Sequence, residues 1–126
     1  MLLSQLLDNK KPIYMQIKDK IEDQIINKQL KVDEQIPSTN EMVNFYKVNH
    51  ITVSKGINIL VDEGLVYKKR GVGMFVAEGA REKLLQKRKD SFAEKYVLPM
   101  IKEANKLNLS EKDISNIIKE IKERVF

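Results

Sequence analysis

The residue types that most often carry out enzyme chemistry are scarce in this sequence. It contains no cysteine and one histidine, His50, which excludes a Cys/His pair and every thiolate metal site. A Ser-His-Asp triad would have to use His50, in the first turn of a small helix where no pocket is expected. One histidine also leaves no ligand cluster for zinc or iron. We therefore expect no enzyme, no metal site and no cofactor.

Polar residues on one predicted helix suit a different chemistry, the reading of base edges. If Val53, Ile57 and Leu60 face a core, five side chains of the same helix point outward: His50, Ile51, Ser54, Lys55 and Asn58. Short polar groups with one lysine can enter a major groove. An asparagine such as Asn58 can bind adenine through two hydrogen bonds, and Ile51 or Thr52 can meet a thymine methyl. The alternative is an ordinary solvent-exposed helix face.

Two further groups suit the DNA backbone, and the second of them also suits the minor groove. Residues 38–40 begin a helix, where free N–H groups favour phosphate, and residues 68–70 are basic and adjoin two glycines that permit a turn. A charged turn that keeps an edge strand soluble is the alternative for the second group. The predicted DNA contacts are Ser38, Thr39, Asn40, Asn49, His50, Ile51, Thr52, Ser54, Lys55, Asn58, Lys68, Lys69, Arg70, Gly71 and Gly73.

The helices and strands that position these residues are predicted from hydrophobic periodicity and from residues that begin or end helices. Isoleucines at every fourth position predict an amphipathic helix over 13–30. Ser38 and Glu41 form a capping box that starts a helix running to about Tyr46, and Asn49 caps another over 50–63 that Gly64 ends. β-branched and aromatic residues at 65–69 and 74–76 then predict a β-hairpin.

This order of elements predicts a mostly α protein with a small β-hairpin. Residues 10–78 are expected to form a winged helix-turn-helix head that binds double-stranded DNA. Residues 79–126 are expected to form a short helical hairpin, with one helix over about 81–107 that Pro99 kinks or divides. Ser110 is the predicted cap of the last helix.

The tail carries an apolar surface that it is too small to bury alone. A homodimer is one solution, because palindromic operators require two-fold symmetry; packing onto the head is the other. An effector site around the tail aromatic residues is an alternative to plain core. The predicted dimerisation residues are Phe92, Tyr96, Met100, Ile114, Ile117, Ile118, Ile121 and Val125.

The net charge is consistent with a polyanion partner but does not identify it. The net charge is +5, and the excess basic residues are an electrostatic footprint of nucleic-acid binders. Residues 1–78 hold 11 basic and 10 acidic residues, so most of the excess lies in the tail. No apolar run approaches a membrane span, and residues 1–4 lack the order of a signal peptide. We expect a cytoplasmic protein.

Five motifs in one order resemble the GntR family of bacterial transcription regulators. Residues 12–17 (PIYMQI) are similar to the family's P-[IL]-Y-x-Q-I, and residues 36–42 (IPSTNEM) to LPSxREL. Residues 48–53 (VNHITV) resemble VsrxTV, 63–65 (EGL) match EGL, and 70–76 (RGVGMFV) resemble RGxGTFV. The short tail looks like that of the YtrA subfamily.

The resemblance implies a sequence-specific DNA-binding regulator that acts as a dimer, most simply a repressor that blocks polymerase. It implies arginine at three positions, where this chain has Asn40, His50 and Ser54. In the family those arginines contact phosphates and guanines, so their absence predicts an A/T-leaning inverted repeat as the operator. A small protein-interaction module that uses the apolar tail is the alternative function.

Overall fold

The computed structural model describes residues 11–126. Lys10, at which the predicted head begins, and the predicted absence of a signal in residues 1–4 lie outside this range. The chain divides into two compact units, one reaching Gln86 and the other spanning Lys87–Phe126. The first unit therefore includes eight residues beyond the predicted head, up to the middle of the helix that follows the hairpin.

Within residues 11–79, the first unit contains three helices and a hairpin, as the sequence predicts. Its elements are α1 (Ile13–Ile26), α2 (Thr39–Tyr46), α3 (His50–Asp62), β1 (Val66–Lys69) and β2 (Gly73–Val76). The strands are antiparallel, with Val66 opposite Val76 and Lys69 opposite Gly73. Helix α4 (Ala80–Phe92) begins in this unit and ends in the next. The second unit continues with a π-helix (Ala93–Val97), α5 (Leu98–Lys106) and α6 (Glu111–Val125).

Local capping decides where α2 and α3 begin. Ser38 Oγ accepts from the Glu41 N–H at 3.0 Å, and Glu41 Oε1 accepts from the Ser38 N–H at 3.1 Å. Asn49 Oδ1 accepts from the Thr52 N–H at 2.7 Å. Both predicted caps are confirmed. Each satisfies N–H groups that the first turn of a helix leaves without an intrahelical partner.

Helix α1 ends four residues earlier than the periodicity predicts. Lys28 has a left-handed backbone with φ of 64°, and the N–H groups of Gln29 and Leu30 turn back to the Gln24 carbonyl at 2.8 and 3.0 Å. This closure satisfies the last carbonyls of the helix. The sequence did not predict this end of the helix, because Lys28 occupies a position where glycine is the usual signal.

The core of the first unit lies between α1 and α3. Ile17, Ile21 and Ile25 are buried with Val53 and Ile57 in one hydrophobic cluster. Helix α4 extends this core, since the same cluster contains its residues Ala80 and Leu84. The predicted stripes of α1 and α3 are therefore the buried ones, apart from Ile13 and Val61, which lie nearer the surface.

A glycine sets the distance between the two central helices. A Cβ atom built on Gly56 would lie 2.6 Å from the backbone oxygen of Tyr14 and 3.7 Å from Ile17 Cβ. The first contact is far shorter than real Cβ atoms tolerate, and the atom it meets is backbone. Helix α1 can approach α3 this closely only because position 56 carries no side chain.

Helix α1 also buries an ion pair. Lys18 and Glu22 are only 6% and 5% exposed, and Lys18 Nζ lies 3.0 Å from Glu22 Oε2 and 3.4 Å from Asp19 Oδ1. Burial lowers the pKa of Lys18, but the hydrogen bond and charge of Glu22 outweigh it, so the pKa is raised overall. The i, i+4 spacing brings the two side chains together on one helix face.

The sequence predicts a helix over about 81–107 that Pro99 kinks or divides, and the structure has a divided helix over 80–106. A π-helical turn, Ala93–Val97, separates α4 from α5, and Pro99 lies in the first turn of α5. The Leu98 N–H donates to the Ala93 carbonyl, the spacing of a π-helical turn, and Pro99, which has no N–H, follows directly. Ser110 caps α6 as predicted, accepting from the Asp113 N–H at 3.1 Å.

Neither a membrane span nor a metal-binding group is present in the described part of the chain. None of its helices combines the length and apolar character needed to cross a bilayer. Over the same residues, 11–126, no group of three or more histidine, aspartate and glutamate side chains could hold a metal ion.

Replacing Gly56 by alanine should destabilise the protein. Alanine raises helix propensity by about 1 kcal/mol, but the overlap with the Tyr14 backbone forces α1 away from α3, and overpacking of this kind costs about 1–3 kcal/mol. We expect a net loss of up to about 2 kcal/mol in the free energy of unfolding, measured by denaturant titration.

Asn58→Ala is the matched control, because Asn58 lies exposed on the same helix. It gains helix propensity without any overlap, so its stability should be unchanged or slightly higher. A Gly56→Ala protein as stable as this control would contradict the proposed role of the glycine.

Candidate nucleic-acid interface

The outward face of α3 presents the side chains that the sequence predicts. Ile51 is 79% exposed in its first turn, and His50 and Asn58 are exposed as well. Thr52 and Ser54 are half-buried. An apolar side chain with this much exposure at the start of a helix is suited to contact with another surface, and a thymine methyl offers one of matching chemistry.

Lys55 is exposed, but it is not isolated. Its ammonium lies 4.2 Å from the centre of the Tyr14 ring, close enough for a cation–π interaction. Tyr14 comes from the first turn of α1, which the Gly56 contact brings alongside α3. The Tyr14 ring restricts the positions that the Lys55 ammonium can reach. It does not neutralise the positive charge. Sequence reasoning missed this partner, because only the packing of α1 on α3 reveals it.

The start of α2 offers a mixed environment to an anion. Asn40 is exposed and Thr39 half-buried, in a first turn whose N–H groups point out of the helix. The hydroxyl and N–H of Ser38 are both engaged by Glu41, whose carboxylate lies in this turn. That negative charge opposes a phosphate, so Asn40 is better placed for such a contact than Ser38.

The turn between α2 and α3 contains a lysine that sequence reasoning did not select. Lys47 is exposed and adopts a left-handed backbone with φ of 58°, and its N–H donates to the Val43 carbonyl at 2.9 Å. Asn49, two residues later, uses its side-chain oxygen to cap α3. The signal that could have identified Lys47 is its position in the turn of a helix-turn-helix.

The hairpin forms a basic tip, called here the wing tip and defined as residues 68–73. Lys68, Lys69 and Arg70 are exposed. The Val72 N–H donates to the Lys69 carbonyl at 2.9 Å, which closes the turn, and Gly71 within it has φ of 76°. The left-handed conformation at Gly71 is one that glycine adopts without strain.

Aromatic residues stiffen the hairpin below the wing tip. The rings of Tyr67 and Phe75, which are paired across the strands, stack with centroids 5.8 Å apart. Lys69 Nζ lies 5.2 Å from the centre of the Phe75 ring. The Tyr67 hydroxyl donates to Asp33 Oδ1 at 2.8 Å, and this hydrogen bond raises the pKa of Tyr67. The hydrogen bond therefore favours the protonated phenol, which is the donor.

All the predicted DNA contacts belong to the first unit, where α3, the start of α2 and the wing tip are joined through one core. The predicted dimerisation residues lie in the second unit. Seven of those eight side chains are exposed, and Ile114 is half-buried. Phe92 and Tyr96 form an aromatic pair with centroids 5.7 Å apart. The tail thus displays an apolar surface within a single chain.

Comparison with known proteins places these features in a family. Residues 13–76 match the model described as bacterial regulatory proteins, gntR family. The HTH-type transcriptional regulator YhcF of Bacillus subtilis is 31% identical over 109 residues, which cover 86% of this chain and 88% of that protein. Other curated relatives, named as transcriptional repressors, share 32–39% identity but are matched over only 18–31% of their own length.

Two groups of solved structures resemble this chain. A GntR-family regulator from Bacteroides thetaiotaomicron has 35% identity and a TM-score of 0.71, with 89% of this chain and 97% of that chain covered. The DNA-binding domain of AraR in complex with operator ORE1 has 36% identity and a TM-score of 0.52, with 56% of this chain and 89% of that chain covered. The second match links the first unit to a fold that has been seen on DNA.

Proposed function

Because this chain belongs to the GntR family of bacterial regulatory proteins, we propose that it is a transcriptional repressor that binds a short inverted repeat as a homodimer. It is a DNA-binding transcription regulator. Repression, the operator sequence and the dimer are the parts that we propose. A cytoplasmic location follows from the proposed role.

The observation that carries the proposal is the exposed face of α3 together with the basic wing tip. An isolated basic turn or an isolated polar helix face is common on protein surfaces. Here Ile51, Asn58 and a wing tip with three cations extend from one compact unit. This combination supports base contacts by the helix and phosphate contacts by the wing tip.

The composition of the proposed operator follows from the side chains on α3. A bidentate arginine–guanine contact contributes about 1–3 kcal/mol of discrimination, and neither His50 nor Ser54 can replace it. Asn58 suits adenine, and Ile51 suits the methyl group of thymine. We therefore propose half-sites that lean towards A·T pairs.

The proposed dimer rests on the apolar surface of the tail. Helix α6 repeats isoleucine at positions 114, 117, 118 and 121, and the last three are 40–44% exposed. This spacing forms one continuous stripe. Covering it with the same stripe of a second chain would satisfy two-fold symmetry and place two wings on an inverted repeat.

A protein-interaction module is the second candidate function, and the same exposed stripe supports it. In that case the stripe would bind a different protein, and the purified chain would remain a monomer. The oligomeric state in solution therefore separates the two uses of the tail.

Selection from a random DNA library, by repeated binding and amplification, tests the operator. We expect half-sites rich in A·T pairs, arranged as an inverted repeat, because the α3 face lacks arginine. Recovery of half-sites with guanines at the core would contradict the proposed composition. Failure to bind any sequence at low salt would contradict the proposed function as a whole.

The three cations of the wing tip should contribute to the salt dependence of the affinity for DNA. Changing Lys68, Lys69 and Arg70 to glutamine should reduce the slope of log affinity against log salt by about 0.9 for each phosphate that is no longer neutralised. The control changes Lys20, Lys31 and Lys83, three exposed lysines of the first unit. It removes the same charge and should change the slope by less than half as much.

Ile118→Glu should convert the proposed dimer into a monomer, because it places a charge in the centre of the apolar stripe. Asn116→Glu adds the same charge to the opposite side of α6 and should leave the dimer intact. Sedimentation velocity measures both. A dimer that survives Ile118→Glu, or an unsubstituted chain that is monomeric, would contradict the proposed interface.

A further inference from the structure

The segment before α2 pairs with β2 through an isolated antiparallel bridge between Gln35 and Phe75. The Asp33 N–H donates to the Val76 carbonyl at 2.9 Å, the Val76 N–H donates to the Glu34 carbonyl at 3.0 Å, and the Ile36 N–H donates to the Met74 carbonyl at 2.9 Å. Strand β2 therefore has a neighbour on each side. A two-stranded hairpin is at best marginally stable alone, so this segment gives the wing its order.

Gln35 reaches from that segment to the turn itself. Its Nε2 donates to the Val72 carbonyl at 3.0 Å. The side chain passes so close to Gly73 that a Cβ atom there would overlap the Gln35 amide. The N–H of the same Val72 closes the turn onto Lys69. Val72 is thus fixed at both of its polar groups, one within the wing tip and one from outside it.

A second contact from the same segment supports the wing below its tip. Asp33 accepts the Tyr67 hydroxyl hydrogen bond, and Tyr67 stacks on Phe75, whose ring lies under the Lys69 ammonium. The segment then continues to Ser38, the cap of α2. One short stretch of chain therefore connects the wing tip to the start of the helix-turn-helix.

We infer that Gln35 is a positioning residue for DNA binding. By holding the Val72 carbonyl, it orders the turn that carries Lys69 and Arg70 before the wing meets the duplex. A loop that is ordered in the free protein does not have to lose that freedom on binding, and this increases affinity. The inference rests on the proposed function, because it assigns the wing tip to the phosphate backbone.

The test is a double-mutant cycle on operator DNA. Gln35→Met keeps the length of the side chain and removes the donor. In the unsubstituted chain it should lower affinity about two- to fivefold, which lies within the range of about two- to thirteenfold that the loss of one hydrogen bond gives. In a background with Lys69→Ala and Arg70→Ala it should change affinity by less than about 1.5-fold, because the groups it positions are gone.

A readout without DNA accompanies the cycle. Gln35→Met should speed hydrogen exchange at the Val72 amide, while the amides of α1 and α3 keep their protection. Gln29→Met is the matched control, since Gln29 is also exposed and lies outside the segment that pairs with the wing; it should change neither affinity nor exchange at Val72.

The outcomes separate this inference from the proposed function. An equal loss of affinity in both backgrounds, or unchanged exchange at Val72, would overturn the role of Gln35 while DNA binding stands. An unsubstituted chain that binds no DNA would overturn the proposed function, and the role of Gln35 in binding with it.

Discussion

The first unit is organised around the close approach of α1 to α3 at Gly56. Only a hydrogen atom fits between the two backbones there, because any Cβ would lie 2.6 Å from the Tyr14 oxygen. This approach closes the core around Ile17 and brings Tyr14 beside Lys55. The polar side of α3 is left outward as a result. One missing side chain thus determines both the packing and the surface that DNA would meet.

Placement matters more than total charge in this protein. Residues 1–78 carry 11 basic and 10 acidic residues, so a general attraction to a polyanion is weak there. Lys18 is held in a buried pair with Glu22, and Arg81 donates to the Ile26 carbonyl at 2.9 Å. The exposed cations of the wing are Lys68, Lys69 and Arg70, and the hairpin determines where they lie. Their value to binding depends on how firmly that hairpin is positioned.

Much of the fold could be predicted, because its signals are local. The caps at Ser38, Asn49 and Ser110 act within three residues, so each helix start could be read directly. The end of α1 could not, because Lys28 adopts a left-handed conformation without the usual glycine. The π-helical turn before Pro99 was missed for a related reason: proline predicts a break, but its exact form depends on the surrounding turns. The sequence also did not predict that Leu84 packs in the core of the first unit, because this depends on tertiary packing.

Local patterns along the chain were enough to establish the order of the elements, the residues of the outward face of α3 and the basic wing tip. These follow from periodicity, capping and turn chemistry, which are properties of neighbouring residues. Three features depended instead on the folded chain: Lys55 lies on Tyr14, Lys47 occupies a left-handed turn, and Gln35 holds Val72. The contact between Gln35 and Val72 joins residues 37 positions apart, and no local sequence pattern predicts it. It arises because backbone hydrogen bonding aligns residues 33–36 with β2, and a side chain can then reach across.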